Sequence, residues 1–151
     1  MILGFRNLRK GLRIQKFTKE GIFISQWGSA GTSTGQFSGP LGIAVDNNYH
    51  VYVAEYMNNR IQKFTSTGRF ITNWGIGGTN NGEFNHPAGI ALDGDGNVYV
   101  ADMDNHRIQK FSSSGSFIMK LVPSLFTLLT SIVPLCNSMI CFVKAKPIPV
   151  L

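Results

Sequence analysis

Cysteine is scarce in this chain of 151 residues, and both copies, Cys136 and Cys141, lie near its C-terminus. Most of the chain therefore cannot depend on disulfides, and the two cysteines lack the pair-of-pairs spacing of a zinc module. The N-terminus carries basic residues with no apolar run after them, which predicts no signal peptide. Tryptophan is also rare, with 2 copies, whereas the chain has 11 phenylalanines and 17 glycines. Regularly spaced glycine and aromatic residues indicate a repeat architecture.

Acidic residues are few: 8 Asp and Glu stand against 14 Lys and Arg, which gives a formal charge of +6. The excess lies at the ends. Residues 1–20 hold six basic side chains and one acid, whereas residues 40–111 hold five basic side chains and seven acids. A phosphate-binding surface needs Lys and Arg clustered on one face. No such cluster occurs within 40–111, so the net charge alone does not indicate nucleic-acid binding.

The stretch RIQKF occurs three times, starting at Arg13, Arg60 and Arg107, with 47 residues between successive starts. Residues 13–59 and 60–106 share 25 identities over the 47 aligned positions, and a third copy begins at 107. A fixed period of this length is typical of a protein built from stacked structural repeats.

Four short apolar runs recur in the repeats. They are residues 42–45, 51–54, 61–64 and 70–74, and then residues 89–92, 98–101, 108–111 and 117–121. Because the runs are short and rich in β-branched and aromatic residues, they are predicted to be strands. The first two runs of each copy are almost continuously apolar, which is typical of strands covered on both faces.

Glycine-rich turns connect the predicted strands. Residues 93–97 read DGDGN and predict a hairpin turn, because Gly and Asn tolerate positive φ; residues 65–68 and 112–115 predict turns of the same kind. Four antiparallel strands in some 40–50 residues is the size of a propeller blade. The predicted fold class is therefore all-β, with four-stranded antiparallel blades stacked face to face.

The spaced motifs of the second copy resemble the NHL repeat. They are PAGIALD at 87–93, VYVAD at 98–102 and NHRIQKF at 105–111. The Asn-His pair that belongs to the family's name occurs once, as Asn105-His106, and the earlier copy has Asn58-Asn59 there. The resemblance covers residues 13–120.

The resemblance implies a β-propeller, commonly of about six blades, that serves as a binding platform. Within 13–120 we expect an outer half-blade at 13–39 and blades at 40–86 and 87–120. Residues 1–12 are expected to be a non-repeat segment, so that no second strand precedes the first RIQKF. At the other end Leu121 stands where Trp27 and Trp74 predict tryptophan. The prediction is a partial NHL-type β-propeller, a fragment of a larger protein.

Residues 121–151 form a hydrophobic tail, and residues 121–143 carry no charge. A segment of this length is able to span a bilayer, although Pro123 and Pro134 weaken a straight helix. A membrane-spanning or membrane-anchoring helix is therefore one alternative. The others are that the tail packs on an exposed blade face, or that it is unrelated to the repeat.

Two groups of residues raise the question of a metal. Residues 93–97 have part of the pattern of a calcium loop, but no distal acid follows, so a hairpin turn is favoured. His50, His86 and His106 lie at non-equivalent repeat positions and do not provide the three or four convergent ligands that zinc needs. We therefore expect no metal, no cofactor and no catalytic residue.

The candidate basic contacts are Arg60, Lys63, Arg107 and Lys110. A basic stripe for RNA is one interpretation of them. The other is that each Arg packs against the neighbouring blade and pairs with an acid such as Glu55 or Asp102. Recurrence in every blade favours the second, because residues shared by all repeats build the repeat.

Ligand contacts are expected instead at loop positions that differ between the repeats. These candidates are Asn47, Asn48, Tyr49, His50, Tyr56, Met57, Asn80, Asn81, His86 and Asp104. The predicted function is a non-catalytic binding or scaffolding module with a protein as its partner, and no small-molecule substrate is indicated. The alternatives are an RNA-binding module of a ubiquitin-ligase-like regulator and a fragment of a propeller enzyme of the lyase or lactonase type.

Overall fold

The computed structural model describes the backbone of residues 2–6 and all atoms of residues 12–122. This part of the chain is all-β and forms three antiparallel sheets in chain order. The first sheet contains β1 (Ile2–Arg6), β2 (Arg13–Phe17) and β3 (Phe23–Trp27). A short parallel pair, β4 (Ser29–Ala30) and β5 (Gln36–Phe37), lies in the loop that follows.

The second sheet contains β6 (Pro40–Val45), β7 (Val51–Glu55), β8 (Arg60–Phe64) and β9 (Phe70–Trp74). The third sheet contains β10 (Pro87–Leu92), β11 (Val98–Asp102), β12 (Arg107–Phe111) and β13 (Phe117–Leu121). A 3-10 turn, Met103–Asn105, joins β11 to β12. In both sheets each strand pairs with the next along the chain, which confirms the predicted four-stranded antiparallel units.

Equivalent residues pair in the same register in the two complete sheets. Val51 pairs with Phe64 in the second sheet, and Val98 pairs with Phe111 in the third. RIQKF is the third strand of each of these two sheets, as the repeat predicts, and it is the second strand, β2, of the first sheet. Its alternate residues face different neighbours: Ile61 belongs to the core shared with the third sheet, and Phe64 to the core shared with the first.

The expectation that no second strand precedes the first RIQKF was wrong. β1 pairs with β2 from Ile2 opposite Phe17 to Arg6 opposite Arg13, the same relation that β7 has to β8. The pattern was hidden because six residues separate β1 from β2, whereas four separate β7 from β8. The strand therefore lies two positions earlier than the 47-residue period places it, and its sequence, ILGFR, differs from VYVAE.

Two hydrophobic cores lie between the sheets rather than inside any one of them. Val51 and Val53 of the second sheet pack with Ile14 of the first, and on the opposite side Tyr52 and Ala54 pack with the third sheet. All five side chains are fully buried. Full burial of a Val or Ile side chain stabilises a fold by about 1.5–3 kcal/mol, so each sheet depends on its neighbour. This explains why the inner strands are apolar on both faces.

The alternative of a membrane-spanning segment concerns residues 121–143, which from 123 onward lie outside the described residues. Within the part that the structure describes, no helix is long and apolar enough to cross a membrane.

Candidate interaction surface

The acid at the end of the second strand accepts hydrogen bonds from all around it. Asp102 is fully buried, and its carboxylate accepts from Arg107 Nε at 2.7 Å, Asn105 Nδ2 at 2.9 Å and Gln109 Nε2 at 3.0 Å. The backbone N–H of Asn85 also donates to it, at 2.7 Å. A buried carboxylate is tolerated when it is paired and fully hydrogen-bonded, as here. Asp102 therefore serves to build the sheet.

The second sheet repeats this arrangement around Glu55. Its carboxylate accepts from Arg60 Nε at 2.7 Å, from Gln62 Nε2 at 2.6 Å and from Asn58 Nδ2 at 2.6 Å. The backbone N–H of Ser38 donates at 3.0 Å. The ion pairs expected between the repeated arginines and these acids are thus present in both sheets.

Each guanidinium also holds the loop that leads into its own sheet. Arg107 donates to the carbonyl oxygens of Thr79, Asn80 and Glu83 at 2.7–2.8 Å. Arg60 does the same in the previous loop, where its acceptors are the carbonyls of Thr32, Ser33 and Gln36. Arginine suits this position because its planar fork presents several donors in a fixed geometry.

The two lysines among the candidate basic contacts are also occupied. Lys63 Nζ donates to the carbonyl of Ser113 at 3.0 Å, and Lys110 Nζ lies 3.3 Å from an Asp93 oxygen. Burial lowers the pKa of Lys63 despite the nearby charge of Asp46. The four basic residues of RIQKF in these sheets therefore stabilise the fold and do not present a stripe of free charge.

The remaining candidates divide between opposite ends of the strands. Because the strands are antiparallel, the turns at 46–50 and 93–97 lie at one end, here called the turn end. The turns at 56–59 and 103–106 and the long loops at 28–39 and 75–86 lie at the other, here called the loop end. Residues 47–50 are thus separated from the other six candidates, and a single compact ligand cannot contact both groups.

At the turn end the candidates surround a hydrogen-bonded aspartate. Asp46 accepts from the backbone N–H of His50 at 2.8 Å and lies 2.9 Å from His50 Nδ1, while Asn47, Asn48 and Tyr49 are exposed. Partial burial acts to raise the pKa of Asp46, but the hydrogen bonds from His50 outweigh it and lower the pKa. This carboxylate therefore organises its own turn.

The DGDGN turn has the same construction. The N–H of Gly96 donates to the Asp93 carbonyl at 3.1 Å, which closes the predicted hairpin turn. The Asp93 carboxylate accepts from Asn97, Asp95 and Tyr99. Partial burial would raise the pKa of Asp93, but the hydrogen bonds from Asn97 and the contact with Lys110 lower it to about 2. The Asp93 oxygens, which resemble calcium ligands, are occupied by the turn itself.

At the loop end three side chains from different loops meet. The rings of Tyr56 and His86 stack with centroids 4.1 Å apart and an interplanar angle of 13°, and His86 Nδ1 lies 2.6 Å from an Asp104 oxygen. Tyr56 comes from the second sheet, Asp104 from the third, and His86 from the loop between them. The structure thus brings together three candidates that are up to 48 residues apart in the sequence.

The positions of His86 and Asp104 are occupied by different residues in the earlier repeat. His86 has φ 56°, in the left-handed region, and the equivalent residue of the earlier repeat is Gly39, with φ 59°. The residue equivalent to Asp104 is Met57, which packs directly over Gly39. The earlier repeat therefore adopts the same backbone conformation with a glycine and a methionine at these two positions. The fold itself does not require the His86–Asp104 pair.

Sequence reasoning missed Asn59, whose side chain binds the backbone of His86. Its Oδ1 accepts from the backbone N–H of His86 at 2.8 Å, and it has φ 50° itself. The earlier copy's Asn58-Asn59 in place of Asn-His was the available signal. Asn80 and Asn81 lie exposed at the tip of the same loop, where the N–H of Asn80 donates to Glu83 and lowers the pKa of that carboxyl.

The NHL repeat family matches residues 37–64 and 84–111. The chain carries two NHL repeats. Each matched segment begins at a buried phenylalanine of the long loop, Phe37 or Phe84, and ends with RIQKF, so it includes the Arg–acid network described above. The first sheet and the fourth strand of the other two sheets lie outside the matched segments.

Several solved structures share the fold of the two NHL repeats and their flanking strands. A Bacteroides caccae protein of unknown function has a TM-score of 0.57 at 14% identity, over 75% of this chain and 39% of its own. A streptogramin B lyase has a TM-score of 0.57 at 20% identity, over 80% and 39%. A catalytically inactive virginiamycin B lyase from Staphylococcus aureus with quinupristin has 0.54 at 24%, over 73% and 34%.

The chain therefore spans 34–39% of the length of these three proteins, and at these identities the likeness establishes the fold. No curated protein sequence matches the chain. Together with the NHL repeats, the three stacked sheets make it a partial NHL-type β-propeller.

Proposed function

We propose that this NHL module is a non-catalytic binding platform that takes a protein partner at the loop end. The observation that carries the proposal is the Tyr56–His86–Asp104 group. Its members lie where the repeats differ, they come from three separate segments, and the fold has an alternative at two of their positions. Residues that are not needed to build a repeat are free to serve a ligand.

The chemistry of the loop end favours a protein partner. Met57 is 62% exposed and Met103 is 46% exposed, and both lie in turns beside the Tyr56–His86 stack. Tyr and Met are enriched at protein–protein interfaces, where an amphipathic ring or a flexible thioether contributes contact area. The four segments of this end, 28–39, 56–59, 75–86 and 103–106, contain no Lys or Arg. These four segments therefore provide no Lys or Arg that would neutralise phosphates and release the counterions of a nucleic acid.

Peptide selection followed by mutation of both ends tests the proposal. Peptides selected on the full chain are expected to lose about tenfold or more in affinity with Tyr56→Ala, because aromatic anchors dominate interfaces. Tyr49→Ala, which removes an exposed tyrosine at the turn end, is the matched control and should leave affinity unchanged. Peptides that respond to Tyr49→Ala and ignore Tyr56→Ala would place the binding surface elsewhere. Binding of single-stranded RNA that weakens steeply with salt would favour the RNA alternative.

One observation favours a second candidate, a lyase-type reaction at His86. Its Nδ1 lies against Asp104, which orients the ring so that Nε2 is available to take a proton. Two of the proteins with the same fold are lyases. Incubation of the chain with quinupristin, followed by mass spectrometry, tests this candidate. We expect intact quinupristin; a product that disappears with His86→Ala would establish catalysis.

A further inference from the structure

A tryptophan at the end of one sheet, here called the knob, packs against a phenylalanine and a glycine of the next sheet, here called the socket. Trp27, the last residue of β3, lies with its ring centroid 6.2 Å from that of Phe64 in the second sheet. The same indole covers Gly68, where a Cβ would lie 2.6 Å from Trp27 Cγ. Gly68 is therefore needed because the tryptophan leaves no room for a side chain.

The same arrangement joins the second sheet to the third. Trp74, the last residue of β9, lies 6.0 Å from Phe111 between ring centroids, and a Cβ on Gly115 would lie 2.6 Å from Trp74 Cδ2. The knob is thus the final residue of the last strand of its sheet, and the socket is a phenylalanine and a glycine four residues apart.

A lysine makes a second link across each junction. Lys16 Nζ donates to the carbonyl of Ser66 at 3.1 Å, and Lys63 Nζ donates to the carbonyl of Ser113 at 3.0 Å. Both acceptors lie in the turn that carries the socket glycine. Two independent contacts therefore recur with the 47-residue period.

The outer face of the third sheet carries the half of this junction that has no partner among the described residues. Leu121, at the knob position, is 45% exposed. Tyr99, Ala101 and Ile108 of this face are partly exposed, whereas the equivalent Tyr52, Ala54 and Ile61 are fully buried. Lys110 turns back to Asp93 of its own sheet.

The first sheet carries the complementary half. Gly21, at the socket position, has φ 84°, and no atom of the residues that the structure describes lies within 4 Å of the place where its Cβ would be. Phe17 packs edge-on against Phe23 of its own sheet, with ring centroids 5.9 Å apart. The turn itself has the same hydrogen bonds as its equivalents, with Gly21 N–H donating to the Thr18 carbonyl.

We propose that a second copy of this chain docks head to tail, with its first sheet on the outer face of the third sheet. Leu121 of one copy enters the socket formed by Phe17 and Gly21 of the other. Lys110 donates to the carbonyl of Lys19, the position equivalent to Ser66 and Ser113, with the acid Glu20 beside it. The occupant is a second copy because one sequence holds both halves of a junction that it already forms twice internally.

Sedimentation equilibrium of the full chain tests the contact. Wild-type protein should associate reversibly with concentration, and Leu121→Asp should weaken association by about tenfold or more, since it puts a charge into an apolar socket. Gly21→Asn should also weaken association, because the new side chain fills the socket. Asparagine is chosen because it tolerates positive φ and so preserves the turn. Gly96→Asn is the matched control. Gly96 has φ 81°, and within the described part of the chain nothing lies within 4 Å of its Cβ position. It lies at the turn end and is outside the junction.

Complementation distinguishes this contact from misfolding. The Gly21→Asn protein keeps an intact knob and the Leu121→Asp protein keeps an intact socket, so their mixture should form one junction and give a 1:1 pair. Leu121→Trp, which restores the side chain of Trp27 and Trp74, should strengthen association several-fold. Three results would each overturn the proposal: monomeric wild-type protein, association that neither the socket variant nor the knob variant weakens, or a mixture of the two variants that stays monomeric. If the chain's own tail covers the face, the wild-type protein will be monomeric.

Discussion

Removal of the Asp102 carboxylate is expected to destabilise the fold severely, and the sign of this effect decides what the acid is for. Asp102→Ala leaves the Arg107 guanidinium, whose side chain is 6% exposed, without its charged partner. It also leaves the backbone N–H of Asn85 without an acceptor. Truncating one member of a buried ion pair costs about 3–5 kcal/mol, because an uncompensated charge remains buried.

The three loop carbonyls that Arg107 retains place the expected loss toward the lower part of this range. Even so, a loss of about 3 kcal/mol is a large fraction of the roughly 5–15 kcal/mol by which domains are stable. For a domain of about a hundred residues it corresponds to a fall in Tm of about 15 °C.

Urea unfolding followed by intrinsic fluorescence measures the effect, with Trp74 at the junction between the second and third sheets as a reporter. Asp95→Ala is the matched control, since it removes an exposed acid whose carboxylate makes no hydrogen bond among the described residues. Its free energy of unfolding should change by less than about 0.5 kcal/mol. An Asp102→Ala protein as stable as wild type, or more stable, would refute the structural role. It would point to an acid kept for chemistry at the expense of stability.

Two further predictions concern the core and the turn end. Phe84→Ala should lower the free energy of unfolding by about 3–5 kcal/mol, because the ring is fully buried against Phe111, whereas Phe23→Ala, at a half-exposed ring, should cost far less; equal losses in urea would contradict the assignment of the core. Because the folded-state pKa of Asp93 is about 2, below its ordinary value of 3.8, its carboxylate stabilises the fold above about pH 4, and this contribution is lost as the pH falls toward 2. Between pH 4 and 2, unfolding free energy should therefore fall more steeply in wild type than in Asp93→Asn, and parallel profiles would count against the turn's hydrogen bonds.

The repeat made most of the fold predictable. The run 51–54 became β7, Val51–Glu55, and the runs 61–64 and 70–74 became β8 and β9 within one residue. Periodic positions share a physical task, so one alignment assigned strands, turns and the Arg–acid pairing together. β1 escaped because its longer connection breaks the period and its residues differ from VYVA.

The surface group was less predictable for a physical reason. Tyr56, His86 and Asp104 were each candidates, but nothing in their spacing indicated that they meet, because they occupy non-equivalent positions in successive units. Their contact depends on how two sheets and a loop are placed in three dimensions. The repeat identifies the positions that are free to vary, and the structure shows which of these lie together.

The arginine of each repeat binds a loop that precedes it in the sequence. Arg60 binds carbonyls 24–28 residues before it, and Arg107 does the same at equal separations. As the chain leaves the ribosome, a loop is therefore complete long before the residue that fastens it appears. The loop that leaves each sheet can therefore be anchored only after the third strand of the next sheet has been made.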